Sequence, residues 1–296
     1  MQLSPRLGGT VEILQVEHAG RQLRLVVEHR GTQGSPIWLM LPALSTVSSR
    51  SEWRAFADAM GDQCQLVSFD WPGFGDSDRP AITYDASLLC SALQAVIDHV
   101  QSINRSQLNV IAAGHSASVA LGLAAKGSEY WQQLVLVAPT WRGPLPTMTG
   151  WHPKHFSWLR QLVAIPLLGH ALYRLNTSRF VLKLMLRRHV WVNPNLLTSK
   201  RIREQQQLSR NKGARFASVA FVSGGLDPAG DRDWWLAQAR QLKCFMHVLL
   251  ATEAPPRSRD EMERLANVAD RVSTINGRLG MHQEFGATLA ERIRDA

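Results

Sequence analysis

Cysteine is scarce. The 296 residues contain three, Cys64, Cys90 and Cys244. So odd and sparse a set makes no disulfide framework, and its spacing does not suggest a zinc site. A reducing, cytoplasmic setting is the expectation. Long apolar runs are also missing: no stretch reaches the roughly 18 consecutive apolar residues of a membrane span. The first ten residues carry no apolar run, so no secretory signal is expected. Any contact with a membrane would be made from one side. No glycine-rich phosphate loop stands in the right context, and there is no dinucleotide fingerprint, so neither a cofactor nor a metal is expected. Internal repeats and low-complexity segments are absent too. Acids are missing from one region in particular. Between Trp141 and Arg215 there are 14 Lys and Arg against a single acid, Glu204. The remainder of the chain has 19 bases and 23 acids, so this one segment carries the positive excess.

What is present suits a folded chain. Hydrophobic residues make up 45 % and charged residues 19 %, enough for a sizeable core. Val11–Val16 and Leu23–Glu28 read as strands joined at Gly20 in a hairpin. Ile37–Leu41, Gln65–Phe69, Leu108–Ala113 and Leu134–Ala138 are apolar runs of buried parallel strands. Helices over Glu52–Met60, Asp85–Val100 and Val119–Lys126 alternate with them. From Thr140 to about Gly213 no strand is expected; the segment is helical, apolar and basic, broken by prolines. Helices then follow over Ala214–Gly224, Asp231–Leu242, Arg259–Ala269 and Phe285–Ile293, with strands over Cys244–Leu250 and Val272–Ile275. The run Phe216–Ser223 suits a helix or a strand, and helix preserves the order that follows. Such alternation predicts a mostly parallel sheet covered on both faces.

Two loops carry chemistry. Gly114-His115-Ser116-Ala117-Ser118 lies between a strand and a helix. Asp70-Trp71-Pro72-Gly73-Phe74-Gly75-Asp76-Ser77 follows the preceding strand. The chain resembles the α/β-hydrolase superfamily in both: the first is similar to its Gly-x-Ser-x-Gly elbow, with Ser118 in place of the last glycine, and the second to its Asp-x-x-Gly-x-Gly-x-Ser turn. The resemblance covers Val11–Ala138 and the chain from Cys244 onward, and implies an α/β-hydrolase fold of eight mostly parallel strands. The core is expected over residues 1–139 and 214–296, and the strandless segment 140–213 between them reads as an inserted helical lid. The resemblance implies Ser116 as nucleophile and, in the loop after the last strand, His282 as general base. The acid falls at Glu253, after the strand Cys244–Leu250, or at Asp227 if Phe216–Ser223 is a strand. The oxyanion donors would be the N–H groups of Leu44 and Ala117. The family's His-Gly before the first donor is Pro42-Ala43 here.

Trp141, Trp151, Trp158 and Trp191 sit among basic amphipathic stretches in the inserted segment, which suits an anionic membrane surface or an apolar roof over the pocket. Nucleic acid is not expected as a partner, since no recognition module is present; the oligomeric state is left open. The expected function is hydrolysis of a hydrophobic, lipid- or prenyl-like ester through an acyl-enzyme. The alternatives are a catalytically impaired lipid- or partner-binding protein, and an acyltransferase or C–C hydrolase with the same triad.

Overall fold

The computed structural model describes residues 3–32, 34–105, 107–127 and 130–294. It begins with β1 (Thr10–His18) and β2 (Arg21–Arg30), joined at Ala19-Gly20, both with positive φ. That is the two-residue turn whose twist matches a hairpin. Then come β3 (Ile37–Leu41), α1 (Arg54–Met60), β4 (Gln65–Phe69), α2 (Ala86–Ile103), β5 (Leu108–Ala113), α3 (Ser116–Ala124) and β6 (Trp131–Val137). Helices alone follow up to the next strand: α4 (Pro144–Thr149), α5 (Ser157–Ala164), α6 (Leu168–Asn176), α7 (Arg179–Met185), α8 (Ser199–Arg210), α9 (Ala214–Val222) and α10 (Arg232–Arg240). The chain ends with β7 (Phe245–Ala251), α11 (Pro256–Ala266), β8 (Arg271–Ile275), α12 (Met281–Glu284) and α13 (Gly286–Arg294).

The eight strands form one sheet in the order β1-β2-β4-β3-β5-β6-β7-β8, with β3 to β8 parallel and the β1–β2 hairpin antiparallel at one edge. All eight expected strands are present. Their central members are buried on both faces, because alternate side chains enter cores on opposite sides. Leu39, Val67, Val110 and Leu134 face one core with α2 and α3. Met40, Leu66, Ile111 and Val135 face the other with α1 and α13. Phe216–Ser223 is helical, as the alternation requires.

Several boundaries shift by one to three residues, and two of these shifts bear on the site. The helix expected over Glu52–Met60 starts at Arg54, after a 3-10 turn over Arg50–Trp53. The helix expected from Val119 starts three residues earlier, at Ser116. Both departures fall at the carboxyl edge of the sheet, where a site would sit.

That edge is held by a buried ionic cluster. The Arg50 guanidinium is fully buried and bonds Glu28 of β2 at 2.8 Å, Asp76 at 2.9 Å, the Ser4 carbonyl at 3.0 Å, and Asp70. Glu28 also accepts the N–H groups of Arg6, Leu7 and Gly9. Asp70 accepts the N–H groups of Arg50 and Asp76, both at 2.7 Å. The loop from Asp70 to Ser77 can fold this tightly because Gly75 has φ of 51° and a side chain there would strike the Asp70 carboxylate at 2.0 Å. Burial opposes ionisation of Asp76, but Arg6 and then Arg50 overcome it and hold its pKa at about 2.

Replacing Arg50 by Met leaves Glu28 and Asp70 buried without their counter-charge, so it should lower stability by about 3–5 kcal/mol; an unchanged urea midpoint would refute this account. Because the folded pKa of Asp76 lies below its ordinary value, its contribution is complete above about pH 4 and is lost as the pH falls towards 2. Asp76→Asn should therefore flatten the fall of the urea midpoint within that window.

Candidate functional site

The elbow after β5 turns at a glycine. Gly114 has φ of 54°, and His115 already has helical angles of −73° and −22°. The Gly114 N–H donates to the Val137 carbonyl at 2.9 Å, and its own carbonyl accepts the Thr140 N–H at 3.0 Å. A positive φ is the strained requirement of such an apex, and glycine meets it without steric cost. The apex is thus two residues before Ser116, which becomes the first residue of α3. A side chain at Gly114 would meet the Ala43 Cβ at 3.2 Å.

Ser116 was expected at that apex with its hydroxyl projecting. Instead it is completely buried, and its hydroxyl donates to the Ala113 carbonyl at 2.7 Å, with the Leu41 carbonyl 3.2 Å away. The Ala117 N–H, expected in the oxyanion hole, donates to the Gly114 carbonyl at 3.3 Å within the first turn of α3. Both placements follow from the register: with the turn completed at Gly114, residues 116 and 117 are already helix. Leu44 lies buried after β3, and the neighbouring Ala43 N–H donates to Glu52 at 2.9 Å.

His282 lies where expected, beyond β8, at the start of α12. It is fully buried against Trp53, with ring centroids 5.1 Å apart. Its carboxylate partner is neither of the two acids expected. Nε2 lies 3.1 Å from Glu52 Oε2, and Nδ1 has no hydrogen-bond partner. Among the described residues no hydrogen bond joins His282 to Ser116. Burial raises the pKa of Glu52, although His282 and the N–H groups of Ala43 and Ser49 favour its charged form.

Glu253, one of the two expected acids, makes no hydrogen bond to His282 among the described residues. It stands two residues past β7 with its side chain 43 % exposed, and pairs with Arg278 at 3.6 Å. Asp227, the other expected acid, makes no hydrogen bond to His282 among the described residues either. It follows a helix rather than a strand, accepts the Gly143 N–H at 3.0 Å, and lies 3.2 Å from His115 Nε2. No hydrogen bond joins the two. His115, also buried, packs edge-on to Phe221.

Glu52 also has the spacing of a helix-capping box with Ser49, Ser49-x-x-Glu52. It does serve there, accepting the Ser49 N–H at 3.4 Å, but its other oxygen faces His282.

The chain belongs to the alpha/beta hydrolase family, whose model matches residues 38–285. Solved structures share the fold. Cfl2 from Burkholderia cenocepacia superposes with a TM-score of 0.70 at 22 % identity, covering 99 % of this chain and 97 % of that one. A hydrolase from Pseudomonas aeruginosa PA01 gives 0.71 at 15 % identity, covering 97 % and 98 %. A thermophilic esterase from Thermogutta terrifontis gives 0.68 at 17 % identity, covering 96 % and 97 %. Among curated proteins none matches the chain.

Since Ser116 is bonded like a structural serine, Ser116→Ala should lower stability by about 1 kcal/mol. Gly114→Ala, which forces a side chain to positive φ, should cost about 1–2 kcal/mol. Urea denaturation of both checks the assignment; a Ser116→Ala protein more stable than wild type would point to a strained, functional serine instead.

Proposed function

We propose that this member of the alpha/beta hydrolase family works as a binding protein at an anionic membrane surface and does not form an acyl-enzyme on Ser116. The observation that carries the reading is the surface of the segment between β6 and β7. Of 17 large exposed apolar side chains among the described residues, 12 fall between Met148 and Leu196, and Leu167, Phe180 and Leu175 are 87 %, 79 % and 70 % exposed. Leu168, Leu172 and Leu175 recur along one outward stripe of α6, and Phe180 and Leu184 along α7. The inward sides of the same helices are filled by Tyr173 and Leu182. These helices are therefore apolar beyond what packing uses, and such concentrations mark interaction surfaces. Exposed Lys154, Arg174, Arg179, Lys183, Arg187 and Arg188 lie among them. Apolar anchors interleaved with bases fit an interface of acyl chains and anionic headgroups, each base near the surface adding about 1 kcal/mol. No helix among the described residues is long and apolar enough to cross a membrane, so the binding is one-sided.

The second reading is the serine hydrolase of a hydrophobic ester, with Ser116 attacking the carbonyl, His282 taking its proton, and this segment as a lid. The placement of His282 beyond β8 beside a carboxylate favours it. Against it stand the buried Ser116 hydroxyl, the glycine at the elbow apex and the occupied Ala117 N–H.

Two measurements test this. Sedimentation with phosphatidylglycerol-containing vesicles should carry the protein down, and phosphatidylcholine alone or high salt should release it. Leu167→Glu and Phe180→Glu should each reduce partitioning roughly tenfold, since burying such a side chain contributes about 1.5–3 kcal/mol. No binding to the anionic vesicles overturns the membrane role. A fluorophosphonate probe, with detergent present, should leave the protein unlabelled; labelling abolished by Ser116→Ala would transfer the case to the second reading.

A further inference from the structure

At the hairpin edge of the sheet, three side chains from three elements meet at one point. Glu12 lies on β1 opposite Val27, and His29 lies on β2 opposite Thr10. The two are one diagonal step apart and on the same face of the hairpin. Helix α2 packs against β1 and contributes His99. Both imidazole Nε2 atoms lie 2.5 Å from the same oxygen, Glu12 Oε1. The rings stand edge to face with centroids 6.0 Å apart. The three side chains are partly open to solvent, at 38 %, 19 % and 23 % exposure for Glu12, His29 and His99.

We propose that Glu12, His29 and His99 form a site for a divalent transition-metal ion of the zinc class. The donor set is right for it: imidazole nitrogens with a carboxylate oxygen suit zinc and its neighbours, whereas magnesium and calcium want oxygen alone. So is the geometry. A tetrahedral ion holds ligands at about 2.0–2.1 Å, and hence roughly 3.3 Å from one another. The three donor atoms already lie within 4.8 Å of one another, so side-chain adjustments of about an ångström would seat an ion on all three. The solvent side leaves a fourth position for water. A bound ion would tie the edge hairpin to α2. The three residues are far apart in the sequence, so no short metal-ligand spacing announced them.

The test uses the full chain, stripped with a chelator and titrated with zinc by calorimetry, with cobalt absorption as a reading of coordination. The expectation is saturable uptake of one equivalent with a rise in Tm, while magnesium gives neither. Glu12→Gln and His99→Gln should each weaken zinc on the order of 100-fold. Circular dichroism and the metal-free Tm show that each variant is folded, and His29→Gln substitutes for either one that is not. No saturable uptake by the wild type, or uptake equally strong in folded variants, overturns the proposal.

Discussion

A guanidinium withdrawn wholly from water must be matched by carboxylates on every side, and at Arg50 that requirement organises the end of the sheet where the loops converge. Glu28 comes from the antiparallel hairpin, Asp70 and Asp76 from the loop after β4, and Ser4 from the segment that leads into the sheet. None of these groups can leave without stranding the others in a low-dielectric surrounding. The cluster thereby fixes the 3-10 turn over Arg50–Trp53, and that turn delivers Glu52 to His282. The resemblance of Asp70–Ser77 to a family turn is thus explained by an electrostatic need, with Ser77 donating to the Asp70 carbonyl at 2.6 Å and accepting the Val26 N–H.

The elbow shows how one backbone angle allots chemistry. Whichever residue takes positive φ after β5 projects its side chain away from the sheet; the residues beyond it enter the helix. Here that residue is Gly114, which has no side chain to project. The serine two places on is turned inward onto main-chain carbonyls, and the N–H after it is engaged in the helix. The same edge is closed by Ala43 against Gly114 and by Glu52 beneath Ala43.

Most of the fold was legible because hydrophobic periodicity reports burial, and burial on both faces is what a central parallel strand is. All eight strands follow from that signal. The site was less so. Gly-His-Ser between a strand and a helix matches the nucleophile pattern, but the pattern does not say which residue bears the positive φ. Ala112-Ala113-Gly114-His115-Ser116 has the same small-residue spacing shifted by two, and the positive φ at Gly114 with helical angles at His115 shows that the chain takes this one. The place of His282 beyond the last strand was legible because it follows from chain order. The contact of Glu52 with it was not, since no local spacing announces a pair 230 residues apart.

The surface of the helices between β6 and β7 bears on these same points. A segment that only covered a core would turn its apolar side inward and leave charge outside. Tyr173 and Leu182 satisfy the first condition, but Leu175, Phe180 and Leu184 violate the second. Exposing such side chains costs solubility wherever nothing covers them, and the bases beside them would make an uncharged protein groove a poor cover, because their desolvation would go uncompensated. An anionic lipid surface, as proposed, would resolve both conditions at once: it would take the apolar groups into its acyl region and leave the bases at the headgroups. Recognition by such a surface requires no nucleophile, so a glycine at the elbow and a binding face on the same chain are physically consistent.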